Sequence, residues 1–231
     1  MKPVAATPVL TDQVRNAIVD AIVDGSLRTG ERLAQEDIAR RLGVSRQPVS
    51  HALEVLKRQG VLVGLGRKGL TVAPMDPERL RGLYRVRASL DALAAEAAAQ
   101  RVAAGDVPEE EISDLSRLVE RFRSGAPRVP LSQRVDADVR FHVTLYRLSG
   151  NPWIEEISEP HWVHFRRCMR AALEDRSLRD EVWPEHAAIL EAVLAGDSRT
   201  AARLAESHAR HAGDTTAAHL IARASWEEDA P

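Results

Sequence analysis

The histidines of this chain are concentrated in its second half, since seven of the eight follow residue 130. Asp138 and His142 are spaced i, i+4, so they share one face of a helix. His186 and His208 each lie within the apolar pattern of a later helix and are therefore expected to face inward. One carboxylate and three imidazoles on the inward faces of three helices could bind one divalent metal ion, with zinc, nickel, cobalt, iron and manganese as candidates.

The same residues leave other interpretations open. A single inward histidine is more often a hydrogen-bonded core residue than a ligand, and a metal with an open coordination position could also activate water for catalysis. The chain has no HExxH motif and no readable Ser-His-Asp or Cys-His arrangement. Glu185 and Glu206 are close to the candidate histidines in sequence but are expected to point elsewhere on their helices. We therefore expect a binding protein, with a metal-dependent enzyme as the alternative.

Helices are the elements that must position these residues, and alanine, the best helix former, occurs 35 times. Apolar periodicity after residue 76 predicts six helices with short connections, which is typical of an antiparallel bundle. They are expected at about 78–103, 108–124, 131–149, 152–174, 178–195 and 198–226. The inner stripe of the first helix is predicted to consist of Leu80, Leu83, Val86, Leu90, Leu93, Ala94 and Ala97.

The first part of the chain has a different organisation. After a helix at residues 10–24, the pattern predicts two short helices, residues 35–42 and about 46–59, joined by a three-residue turn. This is a helix-turn-helix unit, and Ser45 is expected to cap its second helix. The outward face of the second helix carries donors and acceptors that suit base edges and phosphates, namely Arg46, Gln47, Ser50, His51 and Lys57. A helical hairpin with a solvated polar face is the alternative.

Two short apolar runs, residues 61–63 and 70–72, follow the helix-turn-helix and predict a β-hairpin. The loop between them contains Gly66, Arg67 and Lys68, so a close, basic approach to a DNA backbone or minor groove is expected. Residues 1–75 carry 11 Lys and Arg against 7 Asp and Glu, a net charge of +4, whereas residues 76–231 carry 21 against 27, a net charge of −6. A polyanion is therefore expected to bind the first part only.

Residues 10–74 resemble the N-terminal domain of GntR-type bacterial transcription regulators. The most specific part of the match is Gly43-Val44-Ser45-Arg46, followed after one residue by Pro48-Val49. The resemblance implies that Arg46 and the glycines of the hairpin contact operator DNA. The chain departs from the usual pattern at Ser50-His51, where the family has Arg-Glu, so the family's operator preference does not carry over.

Three stretches of the second part, 84–98, 138–151 and 185–197, together with the helix of His208, resemble the FCD ligand-binding domain of FadR-type GntR regulators. The resemblance implies that Asp138, His142, His186 and His208 hold a metal ion at the base of a pocket for small organic acids. It also implies that Arg87 faces this pocket, where it can pair with a carboxylate of the effector. A metal ion with a purely structural role is the alternative.

These observations together predict a mainly α protein with two domains. Residues 1–75 are expected to form a winged helix-turn-helix with a small β-hairpin, and residues 76–231 an all-helical effector-binding and dimerisation domain. Such a ligand-responsive regulator, more often a repressor, is expected to bind a pseudo-palindromic double-stranded operator as a homodimer. With no apolar run long enough to span a membrane, no signal peptide and a single cysteine, Cys168, the protein is expected in the cytoplasm.

Overall fold

A computed structural model describes residues 8–66, 69–124, 129–174 and 176–228. The chain divides into two compact units, one ending at Pro74 and the other beginning at Met75. The first contains a helix-turn-helix with a small antiparallel sheet, and the second contains only helices among its described residues. The predicted mainly α architecture, with its two kinds of unit, is confirmed.

The first unit is built from three helices and three short strands. In chain order they are α1 (Pro8–Val23), β1 (Arg32–Leu33), α2 (Gln35–Leu42), α3 (Arg46–Arg58), β2 (Leu62–Gly64) and β3 (Leu70–Val72). The strands pair antiparallel in the order β1-β3-β2, with Leu62 opposite Val72 and Gly64 opposite Leu70. The sequence pattern did not predict β1, because a strand of two residues is too short to show alternation.

The turn between α2 and α3 depends on Gly43, whose φ of 67° lies in the left-handed region that favours glycine. α3 packs against the rest of this unit through four side chains that are at most 1% exposed, Val49, Ala52, Leu53 and Leu56. Ser45 stands at the N-cap position of α3, but its side chain makes no capping hydrogen bond, contrary to expectation. The third residue of the helix, a usual donor to a capping serine, is Pro48, which has no N–H.

Seven α-helices form the described part of the second unit. They are α4 (Pro77–Ala104), α5 (Glu109–Arg123), α6 (Leu131–Leu148), α7 (Pro152–Ser158), α8 (Trp162–Glu174), α9 (Arg176–Leu194) and α10 (Ser198–Glu228). The single helix predicted over 152–174 is interrupted by a 3₁₀ turn at Glu159–His161. Pro160 accounts for the break, because proline removes a helical donor and crowds the preceding turn. Asn151 caps α7 by accepting the Trp153 N–H at 3.1 Å.

The core of the second unit lies where α4 packs against α6, α9 and α10. α10 approaches α4 closely at Gly213, where an added Cβ would lie 2.5 Å from the Cβ of Tyr84. None of the described helices is long and apolar enough to cross a membrane. This packing brings α6, α9 and α10, which carry the candidate metal ligands, against the inner face of α4.

The inner face of α4 differs from the predicted stripe. Leu80 and Ala94 are buried as expected, but Val86 is 57% exposed and Leu93 is 47% exposed. The residues that α4 buries are small or polar to an unexpected degree: Leu80, Tyr84, Arg87, Ala88, Asp91, Ala94, Ala95, Ala98 and Ala99. α4 is thus apolar on two sides. The predicted stripe followed the large apolar residues, and these lie on the outer side of the helix.

Candidate metal centre and DNA-binding surface

The four residues predicted as metal ligands lie together in the core of the second unit. α6 carries Asp138 and His142, α9 carries His186 and α10 carries His208, and all four are buried. The Nε2 atoms of His186 and His208 are 3.2 Å apart, and His142 Nε2 is 3.4 Å from Asp138 Oδ1. Ligand nitrogen atoms of the three histidines all lie within 4.8 Å of one another. Two nitrogen ligands of one tetrahedral zinc ion are separated by about 3.3 Å, so these spacings fit a shared ion.

The hydrogen bonding of the histidines also fits a cation. Both ring nitrogens of His142, and Nδ1 of His186, are buried without a hydrogen-bond partner among the described residues. Leaving such groups unsatisfied is costly, and a metal ion would complete the coordination of the nitrogen that faces it. Burial, together with His208 and His142, holds the pKa of His186 well below its usual value, so this imidazole is neutral and can donate a lone pair.

One carboxylate orients a histidine from outside the cluster, and a second carboxylate lies close to another histidine. Glu185 Oε2 accepts a hydrogen bond from His208 Nδ1 at 2.6 Å, which leaves Nε2 of that ring directed inward. On the other side, Asp91 Oδ2 lies 3.3 Å from His142 Nδ1. The expectation that Glu185 points elsewhere is wrong, because α10 packs against the side of α9 that carries Glu185. Glu206 does point away and pairs with Arg210 at 2.8 Å.

The structure separates the two histidines of α10. His208 is 6% exposed and belongs to the cluster, whereas the side chain of His211 is 52% exposed and lies 3.3 Å from Glu185 through Nδ1. Partial burial acts to raise the pKa of Glu185, but its contacts with His208 and His211 lower this pKa below its usual value. Glu185 is therefore an ionised acceptor that links the buried histidine to the exposed one.

Asp91 is a central residue that the sequence reasoning missed. It is 1% exposed and accepts a hydrogen bond from the Tyr146 hydroxyl. Burial alone would raise its pKa, but Arg87 and His142 lower the pKa to about 2. The sequence contains a signal that could have revealed Asp91. It is an aspartate in an alanine-rich run, and it lies one helical turn after Arg87, so the two side chains can pair.

Arg87 lies beside this cluster and is 2% exposed. Its Nε is 3.4 Å from Asp91 Oδ2, and its guanidinium carbon lies 4.9–5.5 Å from the ring centres of Phe165, Tyr84 and Trp162. Burial opposes its charge, but Asp91 raises its pKa above the ordinary arginine value. Its Nε and Nη2 have no hydrogen-bond partner among the described residues. A charged guanidinium with unused donors in an aromatic setting can bind a further anion.

The candidate DNA-reading residues lie at the start of α3. Arg46, Gln47 and His51 are exposed, and Ser50 is half-buried and accepts a hydrogen bond from Gln35 Nε2 at 3.3 Å. Arg46 makes an ion pair of 2.9 Å with Glu36, and both side chains are about two-thirds exposed. Such exposed pairs contribute little energy, so Arg46 can leave Glu36 for another partner.

The hairpin of the first unit closes through the Leu65 N–H, which donates to the Gly69 carbonyl at 2.8 Å. Gly66 is exposed and has a φ of 61°, a backbone conformation that favours glycine. Arg67 and Lys68, which were predicted to contact DNA, lie outside the described residues. The described part of the hairpin thus presents exposed backbone at its tip.

Comparisons with known families agree with both units. Residues 10–72 match the bacterial regulatory proteins of the gntR family, and residues 82–211, more than half of the chain, match the FCD domain. The chain belongs to the GntR family of transcriptional regulators, within the group that carries an FCD domain. Its relatives are regulators and not enzymes, so the enzyme alternative is set aside.

Individual relatives cover between about three-fifths and nearly all of the chain. The uncharacterized HTH-type transcriptional regulator YdhC of Bacillus subtilis is 24% identical and the match covers 86% of this chain and 87% of that protein. The gluconate operon transcriptional repressor of the same organism is 29% identical over 59% of this chain and 54% of its own. The solved structure of Escherichia coli McbR/YncC has the same fold, with a TM-score of 0.71, 22% identity, and coverage of 95% of this chain and 99% of that one.

Proposed function

We propose that this GntR-family protein is a repressor that binds operator DNA as a homodimer, and that a small organic acid bound at a metal ion in the second unit modulates this binding. The observation that supports the effector site most directly is the buried cluster of Asp138, His142, His186 and His208 beside the charged, incompletely hydrogen-bonded Arg87. A regulator that binds a bacterial operator works in the cytoplasm.

The DNA-binding part of the proposal rests on α3. A recognition helix places the residues of its first turns against base edges, and here those residues are Arg46, Gln47, Ser50 and His51. Gly66, with Arg67 and Lys68, is proposed to approach the backbone or minor groove. A helix-turn-helix protein that binds two related half-sites needs two copies of the reading unit, so a homodimer follows.

The effector part of the proposal rests on charge. Asp138, His142, His186 and His208 would hold a divalent ion such as zinc or nickel, which would supply a positive Lewis-acid centre for an anionic oxygen. Arg87 would add a hydrogen bond to the same anion from its Nη2, which has no hydrogen-bond partner among the described residues. Two adjacent positive centres in an aromatic setting favour a small carboxylate, so a small organic acid is the proposed effector class.

Regulation requires that the effector binds the DNA-bound and free states with different affinity, and such coupling is commonly worth about 1–3 kcal/mol. Repression is proposed because a relative is named as the gluconate operon transcriptional repressor. Under this proposal, the organic acid would release the protein from its operator and so permit transcription.

A selection experiment tests the DNA-binding function without knowledge of the operator. The full-length protein would be presented with a pool of random-sequence duplexes near physiological salt, and the enriched sequence would be compared with a scrambled duplex by fluorescence anisotropy. We expect enrichment of an inverted repeat, bound about 1,000-fold or more tightly than the scrambled duplex. Recovery of no common sequence, or equal affinity for both duplexes, would overturn the proposal.

The effector site is tested on the same complex. Protein loaded with zinc or nickel would be titrated with a panel of small mono- and dicarboxylates, and we expect at least one to change the affinity for the selected DNA by about 5- to 150-fold. The metal-free protein should show no such response. A carboxylate response that survives metal removal would contradict the proposed site, and a metal that only stabilises the fold, with no carboxylate response, would show that its role is structural.

Replacement of Glu185 by alanine is expected to lower metal affinity by about 10- to 100-fold, because His208 would lose the carboxylate that fixes its orientation. Isothermal titration with zinc would measure the change. Glu206→Ala on α10 is the matched control, since Glu206 pairs with Arg210 outside the cluster and its loss should leave the affinity unchanged. Equal affinity in the Glu185 variant and the wild type would show that Glu185 does not orient His208.

A further inference from the structure

A groove of about 590 Å³ lies between α5 and α6. Its volume is within the range of about 300–1,000 Å³ that is usual for pockets that bind small molecules. Arg140, Thr144 and Arg147 of α6 line the groove, whereas Asp138 and His142 lie on the opposite face of that helix. The groove is therefore separate from the candidate metal centre.

The two walls of the groove carry opposite charges that do not pair with each other. Glu111 of α5 and Arg140 of α6 both line the groove, and neither forms an ion pair among the described residues. Arg147 pairs with Glu155 of α7 at 2.9 Å. This contact raises the pKa of Arg147 above its ordinary value, and Glu111 adds to the effect from beyond ion-pair distance. Glu111 thus faces the Arg147 end of the groove, while Arg140 lies about two helical turns away along α6.

Arg101 of α4 fixes the separation of the two walls. Its Nη1 donates to the carbonyl of Leu148 at 2.8 Å, at the end of α6, and its Nη2 donates to the carbonyl of Asp106 at 2.8 Å, before α5 begins. The last turn of α6 and the segment that leads into α5 are therefore tied to one guanidinium. A groove whose walls are held in this way loses little conformational freedom when a ligand binds.

Apolar side chains line the groove between these charged residues. Val107 and Val143 are half-buried, and Leu148 is buried. Arg140 and Arg147 are seven residues apart, which corresponds to about 10 Å along a helix. This length suits a small molecule that carries one positive group, one negative group and a short apolar part, with a hydrogen bond at each charged end.

We propose that this groove binds a free α-amino acid with an apolar side chain, whose carboxylate pairs with Arg140 and whose ammonium group pairs with Glu111. Asp114 of α5 also lines the groove, but it is already paired with Arg117 of its own helix, so Glu111 is the acceptor offered to the ligand. A single exposed ion pair contributes little energy, so tight binding needs both charges of the ligand. A molecule with only one charge leaves the opposite charge of the groove without a partner, which gives the site its specificity.

The first test is isothermal titration of the full-length protein with L-leucine and with two analogues that each lack one of its charges. These are 4-methylpentanoate, which lacks the ammonium group, and 3-methylbutylamine, which lacks the carboxylate. The titrations use both the zinc-loaded wild type and His186→Ala, in which the proposed metal centre is disrupted. L-leucine should bind the two proteins equally tightly, because the groove does not include His186. In His186→Ala, we expect each analogue to bind at least about tenfold more weakly than L-leucine.

The second test assigns the two charges. Glu111→Ala and Arg140→Ala are each expected to weaken L-leucine binding by about tenfold, because each removes the partner of one ligand charge. Glu110→Ala is the matched control, since Glu110 is the exposed neighbour of Glu111 and does not line the groove. Circular dichroism would verify that all variants stay helical.

Four results would overturn the proposal: no binding of L-leucine to the wild type, analogues that bind as tightly as L-leucine, binding that is lost in His186→Ala, or unchanged binding in either groove variant. Loss of binding in His186→Ala would place L-leucine at the metal centre instead. Failure of the proposed carboxylate effector would change none of these results, because they are measured without DNA and do not require an intact metal centre.

Discussion

The proteins with His186→Ala or His208→Ala are expected to bind zinc or nickel at least about 100-fold more weakly than the wild type, and to retain little metal after dialysis. Each substitution removes one of three buried imidazoles whose ligand nitrogens lie within 4.8 Å of one another, and the histidine nitrogens concerned lie 3.2 Å apart. The remaining groups are held by α6 and one other helix, so the lost ligand cannot be replaced by a neighbour. Elemental analysis and isothermal titration would measure the loss.

His211→Ala is the matched control for this prediction. His211 lies on the same helix as His208, but its side chain is 52% exposed and its Nδ1 lies 3.3 Å from Glu185 Oε1. Its removal should leave metal content unchanged, and affinity of all three variants for selected DNA in the absence of effector should stay near the wild-type value. Full metal retention in both the His186 and His208 variants would reject the cluster as a metal centre.

The parts of the site that lie within one helix could be predicted from the sequence. Asp138 and His142 are one turn apart on α6, and the 3.4 Å between Oδ1 and Nε2 follows from that spacing. The contact between Glu185 and His208 joins α9 to α10, and the contact between Asp91 and His142 joins α4 to α6. Such contacts depend on the rotation and offset of packed helices, which a single sequence does not specify.

α4 shows the same limit for the fold. Its large apolar residues form a helical stripe, and periodicity alone assigns such a stripe to the core. Ala88, Ala95 and Ala98 instead face the core, because α10 approaches closely enough at Gly213 for small side chains to fill the space. Periodicity reports that a face is apolar and does not distinguish contact within the chain from contact with another chain. The interruption at Pro160, by contrast, has a local cause that the sequence contains.

Arg46→Ala is expected to weaken binding to the selected DNA by about 1–3 kcal/mol, which is about 5- to 150-fold in Kd, because we expect its guanidinium to bind a guanine edge. Arg46 is the first residue of α3, where a recognition helix reaches the bases, and its side chain is 70% exposed. Its pair with the exposed Glu36 can exchange for DNA at little cost. Fluorescence anisotropy against selected and scrambled duplexes would measure both affinities.

Arg46→Lys distinguishes a base contact from a phosphate contact. Lysine keeps the charge but loses the planar fork that binds a guanine through two hydrogen bonds, so we expect it to lose affinity for the selected duplex and keep affinity for the scrambled one. A phosphate contact would give a different pattern, in which Arg46→Ala weakens both duplexes equally, lowers the salt dependence by about one ion, and is rescued by lysine. Arg203→Ala, at an exposed arginine of α10, controls for the loss of one charge. Since the family's usual arginine is replaced by Ser50, Arg46 is the arginine that the first two turns of α3 offer for a two-bond contact to guanine.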